Sequence, residues 1–222
     1  MSQLGKPRLH LRLTDSTNER AKELARGGAP HGTLVTADEQ SAGRGRQGRA
    51  WTAPPGSAVL MSVVVRDPAE TLPLAAAVAV CEACQPLACL IKWPNDVWVE
   101  RRKLAGILVE GRPQEGWAVV GIGLNVSASP SDLPATHLRE HDREASREGT
   151  LGRLLEALGE QLAAPGGEVL AAWRERDALR GERVSWEGGE GTAAGIDDSG
   201  ALLVSTDAGR VALNAGEVHL GS

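Results

Sequence analysis

The chain has 222 residues, 41% of them hydrophobic and 24% charged, which suits one moderate soluble domain plus a small appendage. Its formal net charge of −5 argues against broad electrostatic binding to nucleic acid, while leaving room for a local basic site. No stretch approaches a membrane span, the start lacks the apolar core of a signal peptide, and three Cys do not pair off into a disulfide framework, so a cytoplasmic, reducing location is expected, with no membrane and no nucleic acid as partner.

With no Phe and no Tyr, aliphatic residues and six Trp must fill the core. Residues 8–13 (RLHLRL) alternate as a strand does. A helix is expected over residues 17–26, with Ser16 and Glu19 at capping-box spacing and Gly27-Gly28 as its stop. Residues 33–40 read as a second strand. A loop rich in Gly and Arg fills residues 41–56, with Pro54-Pro55 blocking regular structure near its end. A buried strand over 58–66 and an Ala-rich helix over 72–85 follow. CLIKWP, DVWVE, KLAGILVEG and WAVVGIGLNV are four strand-like runs joined by short turns. Together these elements make an α+β fold with a mixed or antiparallel sheet and a helix on one face.

Residues 127–149 are polar and aperiodic, hence loop. Helices are expected over 151–163 and 168–179, split by Pro165-Gly166-Gly167. From about residue 179 the pattern changes to short strands with glycine-rich turns, the pattern of a small β-barrel. The chain therefore divides into residues 1–178 and 179–222.

The segment most telling for function is QSAGRGRQGRAW. Arg44, Arg46 and Arg49 alternate with Gly43, Gly45 and Gly48. The glycines let backbone N–H groups approach an anion, and the arginines bring charge and forked donors. Trp51 adds an apolar plate, so the loop reads as a lid for an anionic ligand. Gly43-x-Gly45-x-x-Gly48 also matches a dinucleotide fingerprint, but TAPPG after Trp51 cannot open the helix which that site needs. A disordered RGG-like tail is the other reading; strands flank the segment too tightly for it.

In IKWPNDVWVERRKLAGILVEG, a Pro94-Asn95-Asp96 turn lies between Lys92 and Lys103. Alone it is a hairpin with solvated charges. Lys103 beside the buried LAGIL run, with Gly106 inside it, also suits an anionic substrate. Gly121 and Gly123 interrupt the buried run VVGIGLNV, as a bulge or as a place of close approach to a ligand. Cys81, Cys84 and Cys89 lack an obvious fourth ligand and read as buried thiols, and His137 and His141 receive no role.

GRGRQGRAW, KWPND, RKLAGILVE and GIGLNV, in this order, resemble the motifs of biotin–protein ligases, and the resemblance runs over residues 9–220. It implies a catalytic domain related to class II aminoacyl-tRNA synthetases and an SH3-like C-terminal domain. It implies ATP-dependent joining of biotin to a lysine of a biotin carboxyl carrier protein domain, with Mg²⁺ accompanying ATP. By motif match, Ser16, Thr17, Asn18 and Gln40 would surround the ureido end of biotin. Arg44, Gly45 and Arg46 would close over its carboxylate and the phosphates, with Trp51 packing on the ligand and Lys103 on the carboxylate and α-phosphate. Arg44, Arg46 and Lys103 would carry catalysis. Arg49 would aid phosphate binding, Lys92, Asn95 and Asp96 would shape the ATP and metal side, and Gly106 and Asn125 would line the pocket. No set of metal ligands is implied, and the oligomeric state is left open.

Two departures stand out. The resemblance begins within the first ten residues, with no DNA-binding domain expected before it. The loop after Asn125 holds no aromatic to stack on adenine. A lipoate- or octanoate-protein ligase shares the implied fold but not GRGRQGRAW; a non-catalytic biotin-binding protein would have no use for so many cations.

Overall fold

A computed structural model describes residues 4–131, 133–214 and 216–221. Seven strands form one mixed sheet: β1 (Arg8–Thr14), β2 (Leu34–Gln40), β3 (Ala58–Arg66), β4 (Leu90–Lys92), β5 (Asp96–Val99), β6 (Arg102–Arg112) and β7 (Trp117–Asn125). Their order is β1-β2-β3-β7-β6-β5-β4. Only β1 and β2 run parallel, because α1 (Thr17–Arg26) connects them by a crossover; the other pairs are antiparallel.

The alternation of β1 does not produce an inside and an outside face. Leu9 and Leu13 are both exposed, since β1 is the sheet's edge and little packs on it there. At the start of α1 the capping box is not made: Ser16 has extended backbone and no capping side-chain bond. Gln40 from the neighbouring strand does the work instead, its Oε1 accepting the Thr17 N–H at 2.7 Å. Glu19 turns away to the cations Lys22 and Arg44.

The opposite face is covered by α2 (Leu72–Ala83), whose residues are almost all buried because it lies between the sheet and two further helices. These are α3 (Arg147–Ala163) and α4 (Gly166–Glu175). α3 begins four residues before its apolar run, because Ser146 caps it by accepting the Gly149 N–H at 3.2 Å. Gly166 and Gly167 open α4 rather than separating it from α3; Pro165 is its N-cap. The loop expected over 127–149 holds one 3₁₀ turn, Leu138–Glu140, and gives way to α3 at Arg147. Cys81, Cys84 and Cys89 are free, buried thiols in the same core.

The C-terminal strands β8 (Arg183–Trp186), β9 (Gly189–Ile196), β10 (Leu202–Thr206), β11 (Gly209–Leu213) and β12 (His219–Leu220) form a separate antiparallel sheet, ordered β11-β10-β9-β8-β12. The segment that leads into it is bonded to β4: Arg176 accepts from the Ile91 N–H at 2.7 Å and Ala178 donates to Ile91 at 3.0 Å. Trp93 Nε1 donates to the Gly200 carbonyl at 3.0 Å, and Gly200 packs on Leu74 of α2. The small sheet thus sits against the end of the large one that carries β4.

Candidate functional site

A cavity of about 500 Å³ opens on the side of the large sheet away from α2. Its floor comes from β6 and β7, one end from the start of α1, its roof from residues 44–51, and its far end from the turn after β4. Gly216 and Glu217 of the C-terminal unit reach its rim.

Neutral polar groups occupy the α1 end. Ser16, Thr17, Asn18 and Gln40 all line it. Beyond the bond to the Thr17 N–H, Gln40 Oε1 lies 3.1 Å from Thr17 Oγ1. Ser62, fully buried on β3, places its Oγ 2.8 Å from Thr17 Oγ1 and 2.6 Å from Asn18 Oδ1. Asn18 Nδ2 donates to Glu110 Oε2 at 2.9 Å, and Lys22 Nζ donates to Glu110 Oε1 at 2.9 Å. Burial works to raise the Glu110 carboxyl, but the bonds from Asn18 and Lys22 outweigh it and hold it below the usual range.

Cations occupy the other end. Lys103 Nζ pairs with Asp96 Oδ1 at 2.6 Å and stands 5.6 Å from the centre of the Trp51 ring. Lys92 lies over the Trp98 ring at 5.4 Å. Burial pushes its ammonium down from the ordinary value, while Asp96 and Glu217 work in the opposite sense. Burial lowers Arg46 as well, against the pull of Asp96; a guanidinium remains charged regardless. Asn95 faces β6, donating to the Ile107 carbonyl at 2.9 Å and accepting from the Ile107 N–H at 2.9 Å, so it fixes the turn that presents Asp96.

The Gly/Arg loop is a built element. Arg44 and Ala50 form an isolated bridge, the Trp51 N–H donates to the Gly43 carbonyl at 2.9 Å, and Gln47 takes the left-handed conformation (φ 53°) at its tip. Its arginines meet the protein's own carboxylates: Arg44 pairs with Glu19, and Arg49 with Glu217. The Trp51 ring lies flat on the sheet where β6 and β7 carry glycine. A Cβ on Gly123 would sit 2.6 Å from Trp51 Cζ2, and one on Gly106 would sit 3.0 Å from Cζ3. At Gly121 a Cβ would run into the Asn18 amide. The close approach anticipated at Gly121 and Gly123 is therefore made by the chain's own side chains.

The structure brings Ser16, Thr17, Asn18, Gln40, Arg44, Gly45, Arg46, Arg49 and Trp51 to one cavity, together with Lys92, Asn95, Asp96, Lys103 and Gly106. Asn125 is not among its lining residues. It is buried, and its Nδ2 donates to the Thr136 carbonyl at 3.0 Å, tying down the loop after β7. Leu133 in that loop does line the cavity and is well exposed. Lys22, Ser62, Glu110 and Glu217 were not singled out from sequence, and Glu19 was read only as a capping-box partner. Ser62 alone leaves a trace, as a hydroxyl in the apolar run AVLMSVVVR.

A profile of the Biotin/lipoate A/B protein ligase family matches residues 10–127, and one of the Biotin protein ligase C terminal domain matches residues 181–221. The Bifunctional ligase/repressor BirA of Bacillus subtilis is 33% identical, over 98% of this chain and 75% of its own. The Biotin--[acetyl-CoA-carboxylase] ligase of Paracoccus denitrificans is 37% identical, over 95% of this chain and 99% of its own. Among solved structures, the biotin protein ligase from Aquifex aeolicus in complex with biotin and ATP superposes with a TM-score of 0.83 at 29% identity, covering 97% of this chain and 99% of that one.

Proposed function

The chain belongs to the Biotin/lipoate A/B protein ligase family and, within it, falls with the biotin protein ligases, and from that premise we propose how its cavity activates biotin with ATP and passes it to a protein lysine. The observation that carries the reading is the division of one cavity into a neutral hydrogen-bonding end and a cationic end. A ligand with a uncharged polar head and a carboxylate tail fits across it in one direction only. The head meets Ser16, Thr17, Asn18 and Gln40; the apolar middle lies along Trp51 and Leu108; the carboxylate arrives beside Lys103.

In the first step a carboxylate oxygen attacks the α-phosphorus of ATP, and pyrophosphate leaves. Two anions approach each other, so fixed cations stabilise the transition state most. Lys103 and Arg46, both beside Asp96, would meet that developing charge, with Arg49 and Lys92 toward the triphosphate; Arg44, paired with Glu19 here, would exchange that carboxylate for the ligand's anion. In the second step a lysine amine of a biotin carboxyl carrier protein domain attacks the acyl carbon, and AMP leaves. The lid formed by residues 44–51 shields the mixed anhydride from water between the steps.

Mg²⁺ with ATP suits this donor set. The ion needs only one or two carboxylates when phosphates and water complete its shell, and Asp96 and Glu217 both line the cationic end. Asp96 would hold it, and its charge would offset that of the phosphates. Residues 1–178 form the catalytic unit and 179–222 a supporting one, with Glu217 as its contribution to the cavity. An architecture shared with class II aminoacyl-tRNA synthetases accords with the common chemistry of forming an acyl-adenylate. A cytoplasmic setting accords with three free thiols, and no helix among the described residues is long and apolar enough to cross a membrane.

The test is incubation with biotin and Mg-ATP followed by mass spectrometry for biotinyl-AMP, together with biotin-dependent ATP–pyrophosphate exchange. Both signals are expected. Their absence at saturating substrates refutes the reading.

A further inference from the structure

At the neutral end of the cavity lies a chain of polar groups of which the chemistry just described uses only Asn18, Thr17 and Gln40. It runs from Lys22 through Glu110, Asn18, Ser62 and Thr17 to Gln40, and crosses from α1 to β6, β3 and β2. Its distances set which way each proton points. The ionised Glu110 carboxylate only accepts, so the Asn18 group it faces must be the NH₂. That turns Asn18 Oδ1 toward Ser62, at 2.6 Å. Ser62 is buried, and its single proton goes to this oxygen, which has no other donor among the described residues. The Ser62 oxygen then has only lone pairs for Thr17, 2.8 Å away. Gln40 Oε1 likewise accepts, since it already takes the Thr17 backbone N–H at 2.7 Å. Whichever of these two receives the Thr17 proton, that proton points into the protein. Toward the cavity Thr17 shows a lone pair, and Gln40 shows its NH₂.

We infer that Glu110, which does not line this cavity, is a positioning residue for specificity: through Asn18 and Ser62 it orders the protons of the pocket wall so that Thr17 accepts and Gln40 donates. An acceptor beside a donor is the complement of an N–H beside a C=O, as in a cyclic urea. A plain acyl chain or a dithiolane offers neither. The inference rests on the ligase reading above and adds what distinguishes biotin from the fatty-acyl and lipoyl substrates of neighbouring ligases. It also gives Lys22 a part, because its ammonium at 2.9 Å keeps Glu110 ionised and in place.

The experiment measures inhibition constants of desthiobiotin, which keeps the urea, and of octanoate, which lacks it, in the full-length enzyme, with KM for biotin and for ATP. The variants are Glu110→Gln and Ser62→Ala. Glutamine matches glutamate in shape but brings its own NH₂ beside Asn18 and Lys22, so Asn18 is free to turn over. For both variants KM for biotin and Ki for desthiobiotin are expected to rise about 10-fold or more, the scale of a polar site left mismatched. Ki for octanoate and KM for ATP should stay within about 2-fold, a change too small to reflect a lost hydrogen bond. Equal weakening of desthiobiotin and octanoate would show mere loosening of the pocket and overturn the inference. So would unchanged affinity for both. If wild-type enzyme forms no biotinyl-AMP, it is the ligase reading that has failed.

Discussion

Replacing Gly123 by Ala separates the work of the lid from that of the fold. Trp51 rests on this glycine, and the new Cβ would run into its ring, 2.6 Å from Cζ2 and closer still to Cε2. The ring must lift by about 1 Å to restore normal contact, or leave the sheet. If roughly half of a Trp surface of about 200 Å² is held there, at about 25 cal/mol per Å², the contact is worth ~2.5 kcal/mol. A lift of that size forfeits a quarter to a half of it, about 1 kcal/mol or roughly 5-fold in the closing equilibrium; full expulsion would be worth about 70-fold. Limited trypsin digestion reads this directly, because Arg44, Arg46 and Arg49 are cleavage sites within the loop. Nicking in Gly123→Ala should accelerate by between these two factors, while the melting temperature changes little, since the loop can yield. Gly111→Ala is the counterpart. Its Cβ would meet Ala118 Cα at 2.5 Å, which is backbone and cannot step aside. Gly111 is itself exposed, so the strain falls on the β6–β7 backbone pairing rather than on the core; that variant should lose global stability, with the lid unaffected at equal folded fraction. Equal nicking rates for Gly123→Ala and wild type would refute the assignment of Trp51 as the lid's anchor.

Further outcomes follow from other contacts. Lys103→Ala should slow biotinyl-AMP formation by about 10²-fold, the scale of losing one charge-stabilising donor, in single-turnover assays; a near-normal rate would move the role to Lys92. Asp177 lies where the chain enters the C-terminal sheet, and burial pushes its carboxyl above the ordinary value despite bonds from the backbone of Leu179 and Arg180. A raised folded-state value means the native protein binds the extra proton, so this group's contribution falls as pH rises from the unfolded value through the folded one. Asp177→Asn keeps the acceptor for Leu179 and removes the charge. It should raise the melting temperature at neutral pH and lose that advantage in acid; no pH dependence of the difference would contradict the assignment.

Much of the site was legible because its parts are local. A glycine between two arginines, a Pro-Asn-Asp turn and a lysine before LAGIL each state their geometry within a few residues. Asn125 was placed at the pocket only by motif match; in the structure it is buried and fastens the loop after β7. The carboxylates were not legible. Glu110 and Glu217 look like ordinary surface charges and Glu19 like a capping-box partner, and only the pairing of distant elements shows them meeting Asn18, Arg49 and Arg44. The same holds for β1. Alternation announced a strand, but whether either face would be covered depended on its place at the sheet's edge. The capping box failed for a related reason: Gln40, 23 positions from Thr17, takes the first N–H of the helix, and Ser16 makes no capping bond of its own.

A chain with six Trp and no Tyr or Phe is also an optical instrument. All of its near-ultraviolet aromatic emission comes from indoles, and Trp93, Trp117 and Trp173 are shut inside the core, where nothing in the cavity reaches them. Trp186 belongs to the C-terminal sheet, and Trp98 lies behind Lys92. Trp51 alone lines the cavity among the described residues, with the Lys103 ammonium near its ring. Filling the cavity changes the polarity and the charge most directly around that one fluorophore, with Trp98 next in line through Lys92. Closure of residues 44–51 over a ligand, as proposed, would therefore carry its own reporter, open to stopped-flow fluorescence without any label.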